Sequence, residues 1–402
     1  MSDFFEPAGR GVQHASLRAA NRRAVLNTIS FNPGISNADV SRRTGLAPQT
    51  ASAIVSELEE DGLITRGEVL RGRRGQPATP LYLDYSGAFG IGCDISWRHV
   101  DVVLINLGSE VIGRYRRDYR YPDAATIVAE VANVVAELLE KLDPRQRARM
   151  VGLGITSPSQ VWRGIKRLGA PAEQSDLWRA LDIRTAIARE TGLPASWSND
   201  GSSACFATMV MSDPPRPANL VHLYVTTFLG AGIAAEHTLY EGPTGNSADL
   251  GSMLVNGENG RRAFGHDVAS MIALEHRLAA AGVELPEGDP ADWPWDAWEP
   301  HVAAWIEASG SALAEIVFNT AAVLEVDRVI IDSVAPPAIV ARLVEATTAA
   351  LAALAVFKDH LLPRVSAGVL GDRAPALGAA QLIMFRRHFS RQLEDMLAAE
   401  IP

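Results

Sequence analysis

The sequence predicts an α/β protein in two parts, a small N-terminal domain made mostly of helices and a larger body of two similar α/β halves. Two observations predict this division. Residues 16–83 carry short amphipathic helical patterns and then two strand patterns around a loop rich in glycine and arginine. From residue 88 onward strands and helices alternate, and the order of the elements recurs after residue 220, which indicates a duplicated body.

Composition places the chain among ordinary globular proteins. Its 402 residues allow two or three domains, and 47% of them are hydrophobic and 21% charged. No stretch approaches the roughly 20 uninterrupted apolar residues of a membrane span. The N-terminus lacks the basic start and apolar run of a secretory signal. Cys93 and Cys205 lie in apolar contexts, which favours a reducing compartment, so we expect a cytoplasmic protein.

The formal charge of −10 is unevenly distributed along the chain. Residues 1–80 carry ten Arg and eight Asp or Glu, a balance of +2, whereas the remainder has a balance of −12. An acidic body attached to a basic head fits a protein that touches nucleic acid with one small module.

Three helices are predicted in the head. The first covers residues 16–30. The second begins at Ser36, which has capping-box spacing to Asp39, and it ends before Gly45, a residue suited to the left-handed conformation after a helix. The third begins at Pro48, a residue favoured in the first turn. Its buried stripe is predicted from the spacing i, i+3, i+4 and i+7, which selects Ala51, Ile54, Val55 and Leu58.

The opposite face of the third helix carries short, neutral polar groups that can approach base edges and phosphates closely. Gln can pair with adenine in two places, and Ser or Thr can donate to a phosphate or a base. We therefore predict that this helix reads DNA through Gln49, Thr50, Ser52 and Ser56. The alternative is a three-helix module that binds proteins.

A wing is predicted after the third helix. Residues 63–66 and 81–83 have strand character, and the loop between them carries arginines among glycines. Arginines on such a loop can enter a narrow minor groove, whereas the simpler interpretation is a solvated run of charge. The wing favours DNA binding, and the head is predicted to be a winged helix-turn-helix whose tip contributes Arg71, Arg73 and Arg74.

The body is predicted as two halves with a cleft between them, an actin-like, ribonuclease-H-like architecture. In the first half the strands cover 88–95, 101–106, 110–119 and 150–155, and the helices cover 124–142 and 199–211. In the second half the strands cover 220–226, 231–236, 328–331 and 364–367, and the helices cover 269–280, 302–324, 337–355 and a final segment from Pro375.

From residue 20 to 390 the chain resembles the ROK family, which contains sugar kinases and sugar-responsive repressors. The winged helix, which ends in Gly-Arg-Arg-Gly-Gln-Pro at 72–77, resembles the repressor branch, because the kinases lack it. The resemblance implies a DNA-binding domain at 1–84, a first lobe at 85–199 with the C-terminal helix 375–397, and a second lobe at 200–374 for ligand sensing and oligomerisation. It rests on Gly152-Leu153-Gly154-Ile155, Trp197-Ser198-Asn199-Asp200, Gly230-Ala231-Gly232-Ile233 and Leu377-Gly378-Ala379-Ala380.

The two phosphate loops depart from the kinase pattern. Kinases of the family carry Asp-x-Gly-x-Thr on the first hairpin, where residues 94–98 here read Asp-Ile-Ser-Trp-Arg. Their second loop reads Gly-Thr-Gly-Ile-Gly, where residues 226–230 read Thr-Thr-Phe-Leu-Gly. Trp97 and Phe228 thus stand where the backbone must curl closely around phosphate, so we expect no ATP binding and no enzymatic activity.

The zinc site of the family is also missing its ligands. That site uses one histidine and three cysteines, and residues 251–266 contain no cysteine at all. We therefore expect no zinc and no other cofactor.

The resemblance further implies a sugar site. Asn199-Asp200 is its most specific motif, Asp249 stands at the acid of the family's Gly-Glu-x-Gly-His, and His266 falls near the next acidic contact. These four side chains are expected to bind hydroxyl groups; Asp200, the general base in a kinase, would here only accept a hydrogen bond. The alternatives are a helix cap for Asn199-Asp200 and a surface pair of His266 with Asp267.

Residues 289–298 have no counterpart in the family pattern. Three tryptophans among acidic residues there could form a carbohydrate-stacking surface, a subunit contact or a packed loop between two helices.

Together these features predict a cytoplasmic transcriptional regulator of the repressor type. It would bind operator DNA as a homodimer or homotetramer, with the recognition helices of a dimer ~34–36 Å apart, and it would sense a sugar or sugar derivative in the cleft. One alternative is a ROK sugar kinase that phosphorylates hexoses and carries an added head. The other is a regulator that responds to a protein partner.

Overall fold

The structure is a computed structural model that shows a helical head on a two-lobed body. It describes residues 14–68, 79–213, 215–257, 260–286, 288–354 and 362–390. The wing arginines Arg71, Arg73 and Arg74 lie outside these residues, and their contact with DNA stays a prediction.

The head consists of three helices and a small antiparallel sheet of order β1-β3-β2. Its elements are α1 (His14–Ser30), β1 (Ile35–Ser36), α2 (Asn37–Thr44), α3 (Pro48–Glu60), β2 (Ile64–Arg66) and β3 (Pro80–Leu83). The predicted start and end of the second helix are confirmed, because the Ser36 hydroxyl accepts from the Asp39 N–H and Gly45 is left-handed with φ 71°. The two-residue strand β1 was not predicted.

The two lobes contain sheets of the same topology. The first holds β4 (Phe89–Ile95), β5 (His99–Asn106), β6 (Val111–Asp118), β7 (Met150–Ser157) and β8 (Ala195–Asn199) in the order β6-β5-β4-β7-β8. The second holds β9 (Leu220–Val225), β10 (Leu229–Ala235), β11 (Thr238–Leu239), β14 (Arg328–Ser333) and β15 (Arg364–Ala367) in the order β11-β10-β9-β14-β15. The strands β12 (Leu254–Asn256) and β13 (Arg262–Phe264) form a separate hairpin. The predicted duplication is confirmed.

Helices cover these sheets. The first lobe has α4 (Ile127–Leu139), α5 (Pro144–Arg147), α6 (Val161–Gly164), α7 (Ala172–Ala180) and α8 (Ile183–Thr191). Helix α9 (Asp200–Met211) follows β8 and packs against β9 and β10 of the second sheet. The rest of the chain adds α10 (Gly265–Val268), α11 (Met271–Ala280), α12 (His301–Val323), α13 (Pro337–Leu354) and α14 (Ala374–His388). The sequence predicts no elements between β7 and β8, where the structure has α6 to α8, because helices of four to nine residues carry too few turns to show a clear period.

Helix α14 returns from the second lobe and packs against β4, β7 and α9. The packing is close enough to require glycine. A Cβ at Gly378 would overlap the carbonyl oxygen of Ser203 in α9, and a Cβ at Gly92 in β4 would overlap the carbonyl oxygen of Ala376. The two helices therefore meet backbone to backbone between the lobes.

Helix α13 is, within the described part of the chain, the one helix with the length and apolar composition of a membrane span. Core helices of globular proteins can share those two properties. Here α13 packs against α12, β14 and β15. The residues that it buries are Ile339, Val340, Leu343, Thr347 and Leu351.

The tryptophan-rich segment belongs to the core of the second lobe. Trp293, Trp295 and Trp298 are each less than 10% exposed and, with Trp305, join that core. Neighbouring ring centroids lie 5.6–6.3 Å apart. The interpretation as a packed loop is confirmed, because rings this deeply buried cannot offer a stacking surface to a ligand or a second subunit.

Candidate functional site

Helix α3 presents a polar face to solvent. The stripe predicted to be buried is buried in the structure, and the four predicted contact residues are all exposed on the other side. The amide of Asn37 in α2 donates to the Ser52 hydroxyl at 3.1 Å and orients it. Asn37 was not predicted, since only the packing of α2 against α3 brings it near this face. The exposed face consists of Gln49, Thr50, Ser52 and Ser56.

The head is joined to the body by buried hydrogen bonds. The Arg23 guanidinium in α1 donates to the carbonyl oxygens of Ser390 at 2.6 Å and Arg387 at 3.0 Å. The Asn27 amide donates to the Phe389 carbonyl at 2.9 Å. These carbonyls lie at the C-terminal end of α14, so the first helix of the head is attached to the helix that crosses between the lobes.

A cavity of about 350 Å³ lies between the lobes, and all four predicted sugar-binding residues line it. It opens where β7 and β8 end and where α9 begins. The carboxyl ends of parallel strands are a common place for ligand sites in open α/β sheets. The structure thus brings together Asn199, Asp200, Asp249 and His266, which span 68 positions of the sequence.

Asn199 both caps a helix and lines the cavity. It caps α9, since its side-chain oxygen accepts from the N–H groups of Gly201 at 3.0 Å and Ser202 at 3.3 Å. Its amide donates to the Ser159 hydroxyl at 3.0 Å. The hydrogen bonds to its oxygen and from its amide nitrogen therefore fix the orientation of the Asn199 side chain at the cavity wall.

Asp200 is buried beside a second carboxyl group. Burial, and then the nearby Asp94, raise the pKa of Asp200 to about 7. The carboxyl group accepts a 2.8 Å hydrogen bond from the Gly201 N–H. At neutral pH Asp200 thus exists in both protonation states and can either accept from or donate to a ligand hydroxyl group.

Asp94, the acid of the first hairpin, is fully buried, and neither carboxyl oxygen has a hydrogen-bond partner among the described residues. The nearest base is His99, whose Nε2 lies 3.5 Å from Asp94 Oδ2. Burial, and then Asp101, raise the pKa of Asp94 well above its usual range, while burial lowers the pKa of His99 to about 4. Both effects on Asp94 favour the neutral form of this acid.

Asp249 is held by two side chains. His266 Nε2 lies 3.4 Å from Asp249 Oδ1, and the Ser252 hydroxyl donates to Oδ2 at 2.8 Å. The hydrogen bond from His266 is the main reason that the pKa of Asp249 lies below its usual range. The alternative pairing of His266 with Asp267 is wrong, because Asp267 instead accepts from Arg167 at 2.8 Å.

The two residues that interrupt the phosphate loops contact each other. The rings of Trp97 and Phe228 meet edge to face, with centroids 4.9 Å apart and planes at 79°, and each residue is 7% exposed. The Trp97 indole also packs onto Gly164. An aromatic pair from the two lobes therefore lies at the two loops and lines the cavity. That these rings prevent phosphate binding stays a prediction.

Several polar residues of the cavity were not predicted. Ser159, Gln160, Arg163 and Arg167 follow the end of β7, and Asn246 comes from the second lobe, where its side chain contacts Ser159. The spacing of the two arginines, four positions apart after a buried strand, was the available signal.

Two ion pairs link residues of the first lobe to residues of the second. Arg98 binds Glu275 at 2.8 Å, and Arg116 binds Asp289 at 3.1 Å. Within the described ranges, no group of three or more His, Cys, Asp or Glu side chains is placed to hold a metal ion.

Family comparisons agree with both parts of the chain. The sequence matches the family model described as ROK family over residues 90–385 and the one described as winged helix-turn-helix DNA-binding over residues 18–65. The xylose repressor of Bacillus subtilis is 22% identical over 244 residues, 60% of this chain and 62% of that protein. The chain therefore spans less than two thirds of that relative's length. The predicted family and the winged helix-turn-helix are confirmed.

Solved structures share the fold. A crystal structure of a ROK family transcriptional regulator, a homolog of the E. coli MLC protein, has a TM-score of 0.68 at 21% identity and covers 95% of this chain and 98% of that chain. A ROK family glucokinase from Streptomyces griseus, in complex with glucose and AMPPNP, has a TM-score of 0.58 at 17% identity over 73% of this chain and 99% of that chain. Repressors and kinases thus share this body, and the predicted fold class is confirmed.

Proposed function

The chain belongs to the ROK family, and on this premise we propose that it is a cytoplasmic DNA-binding transcriptional regulator of the repressor type. Its effector is a sugar or sugar derivative that binds in the cavity between the lobes. The body is a sensor rather than an enzyme, and it uses neither ATP nor zinc. The observation that carries the proposal is an exposed recognition helix attached to a body whose two phosphate loops are filled by the Trp97–Phe228 pair.

The argument against catalysis is steric. Cradling a phosphate requires backbone N–H groups that converge on it, and the chain can curl that closely only where side chains are absent. Trp97 and Phe228 place two rings there in edge-to-face contact. Asp200 lines the cavity and can bind a hydroxyl group, but in this proposal the two rings leave no room for a backbone cradle around a phosphoryl donor.

The structure also supports a route from the cavity to the head. Asn199 caps α9 at the cavity wall, α9 packs against α14, and the end of α14 binds Arg23 of α1. A ligand that changes lobe closure therefore changes the position of the head, provided that it binds the two states with different affinity. In a homodimer this would alter the spacing of two recognition helices on a palindromic operator.

Replacing the polar face of α3 tests the DNA-binding half of the proposal. The full-length protein selects its operator from a random duplex library, and fluorescence anisotropy then gives the affinity. Gln49→Ala combined with Thr50→Ala is expected to weaken operator binding by at least about tenfold, because a bidentate base contact is worth ~1–3 kcal/mol. The control Thr348→Ala alters an exposed residue of the body. Equal losses in both variants, or none, would contradict a recognition role for α3.

The sensing half is tested by adding a panel of pentoses and hexoses to the operator complex. One sugar is expected to weaken operator binding, and Asp200→Asn is expected to reduce that response. Operator affinity that no sugar changes would rule out the inducer model. In the same panel, Asp200-dependent consumption of ATP would identify a kinase instead.

A protein-sensing regulator gives a different result in thermal unfolding. A sugar at about 100 times its dissociation constant stabilises the protein by ~2.7 kcal/mol. If no sugar raises the melting temperature and no sugar changes the release of the protein from its operator, a protein partner is favoured over a small-molecule effector.

A further inference from the structure

Two arginines face the cavity from the first lobe. Arg163 and Arg167 both line it and are both exposed to solvent. They come from the turn of helix α6 and the short 3-10 helix over residues 165–168. A guanidinium group stays charged at any pH the protein meets, so this wall carries two permanent positive charges.

Each guanidinium group is oriented by an aromatic ring. Arg163 lies over the Trp162 ring at 4.7 Å, and Arg167 lies over the Phe228 ring at 4.6 Å. Stacking orients the plane of a guanidinium group and leaves the N–H groups at its edge available for a planar or tetrahedral anion.

These N–H groups are largely unused inside the protein. Arg163 makes no ion pair or side-chain hydrogen bond with any residue that the structure describes, whereas Arg167 makes one ion pair, with Asp267. Most of the N–H groups that are available to bind an anion therefore belong to Arg163, and Arg167 can add further ones.

No acid that the structure describes forms an ion pair with Arg163. Asp249 is a carboxylate whose partners are His266 and Ser252. Burial, and then Asp94, raise the pKa of Asp200 to about 7, which favours its neutral form relative to an exposed carboxyl group. The cavity thus has hydroxyl-binding groups around Asn199 and Asp200 and, at Arg163, a positive charge that no described acid pairs with.

We infer that the effector is an anionic sugar, which carries a phosphate or carboxylate group on a polyhydroxyl ring. Its hydroxyl groups bind Asn199, Asp200 and Asp249, and its anionic group binds Arg163 and Arg167. The inference rests on the proposed function, because it assigns a chemical class to the effector of the same cavity.

Calorimetric titration of the full-length protein with matched ligands tests the inference. The panel consists of glucose, galactose and N-acetylglucosamine, the 6-phosphate of each, and glucuronate and galacturonate. At least one anionic sugar is expected to bind about tenfold or more tightly than its neutral parent, because charge-assisted hydrogen bonds are roughly twice as strong as neutral ones. The phosphate and carboxylate arms distinguish the two sources of charge.

Two variants locate the effect. Arg163→Gln is expected to abolish the preference, so that the anionic sugar and its neutral parent bind with similar affinity. The matched control is Arg179→Gln, because Arg179 stacks on the same Trp162 ring at 4.6 Å but does not line the cavity. Loss of the preference in both variants would indicate a structural role for the stacked ring and would overturn the assignment.

Three outcomes separate this inference from the proposed function. Tighter binding of anionic sugars that depends on Arg163 supports both. Neutral sugars that bind as tightly as their anionic forms would overturn the inference and leave the sugar sensor standing. If no sugar of either kind binds, the sensing function of the cavity fails as well.

Discussion

Asp200 shows how one residue acquires its chemistry from partners distant in sequence. The sequence predicts that this acid stands at the start of a helix, and the structure confirms that position; its hydrogen bond to a ligand stays a prediction. Its raised pKa depends on burial and on Asp94, which lies 106 positions earlier. A local motif cannot reveal that second effect, because Asp94 lies on β4 of the first lobe and Asp200 begins α9, which packs against β9 and β10 of the second lobe.

Replacing Asp200 should change the pH dependence of stability. Its pKa rises from 3.8 to about 7 on folding, so its contribution is fully present below pH 3.8 and is lost as the pH rises through about 7. In Asp200→Asn, the free energy of unfolding should fall less over this interval, by up to about 4 kcal/mol. Urea unfolding at a series of pH values measures the difference.

The control for this prediction is Asp249→Asn, since the pKa of Asp249 is lowered instead. Its stabilising contribution is present above pH 3.8 and is lost as the pH falls through the lower folded value. Plotted against pH, the free energy of unfolding should therefore have a slope that departs from the wild-type slope above about pH 4 in Asp200→Asn and below about pH 4 in Asp249→Asn. Slopes equal to those of the wild type in both variants would refute both assignments.

At the scale of elements, prediction succeeded where a pattern was long or strongly marked. The stripe of α3 and the cap of α2 rest on neighbours three or four positions apart, so the sequence contains all of the interaction. The short helices α6 to α8 lack this support, and with them Arg163 and Arg167 escaped prediction. These two arginines follow β7 in the chain, and they line the cavity because of the way this segment packs.

The contact of α14 with α9 leads to a prediction about stability. Gly378→Val should destabilise the protein by at least ~1–3 kcal/mol, because its Cβ would overlap the Ser203 carbonyl oxygen. The control Ala349→Val adds the same kind of bulk at an exposed position of α13 and should cost less than about 1 kcal/mol. Chemical denaturation of both variants provides the comparison, and similar losses would mean that the helix contact is not tight.

At the scale of the whole molecule, the head and body share buried contacts. The hydrophobic core around Val25, Leu26 and Ile29 of α1 continues into residues of the first lobe and of α14. Arg23 adds hydrogen bonds to the last carbonyl groups of that helix. A head attached in this way is linked directly to α14, which is the connection that the proposed sensor requires.

Removing that attachment should uncouple the head from the effector site. Arg23→Ala leaves α3 intact, so operator binding should persist, whereas its weakening by an effector should be reduced at least severalfold. Anisotropy titrations with and without effector measure this coupling. Arg18→Ala is the matched control, because Arg18 pairs with Glu57 inside the head. A full effector response in Arg23→Ala would exclude this connection as the route.

The sequence by itself determined the two-part organisation, the winged helix, the duplicated lobes and the departures at both phosphate loops. Each of these follows from short-range patterns or from residue types at marked positions, which exist before the chain folds. Tertiary structure alone decided that Trp97 and Phe228 touch, that Asp94 helps to raise the pKa of Asp200, and that Arg163 lines the same cavity as Asp249. These relations join residues from different elements, and only the packing of one lobe against the other determines their distances.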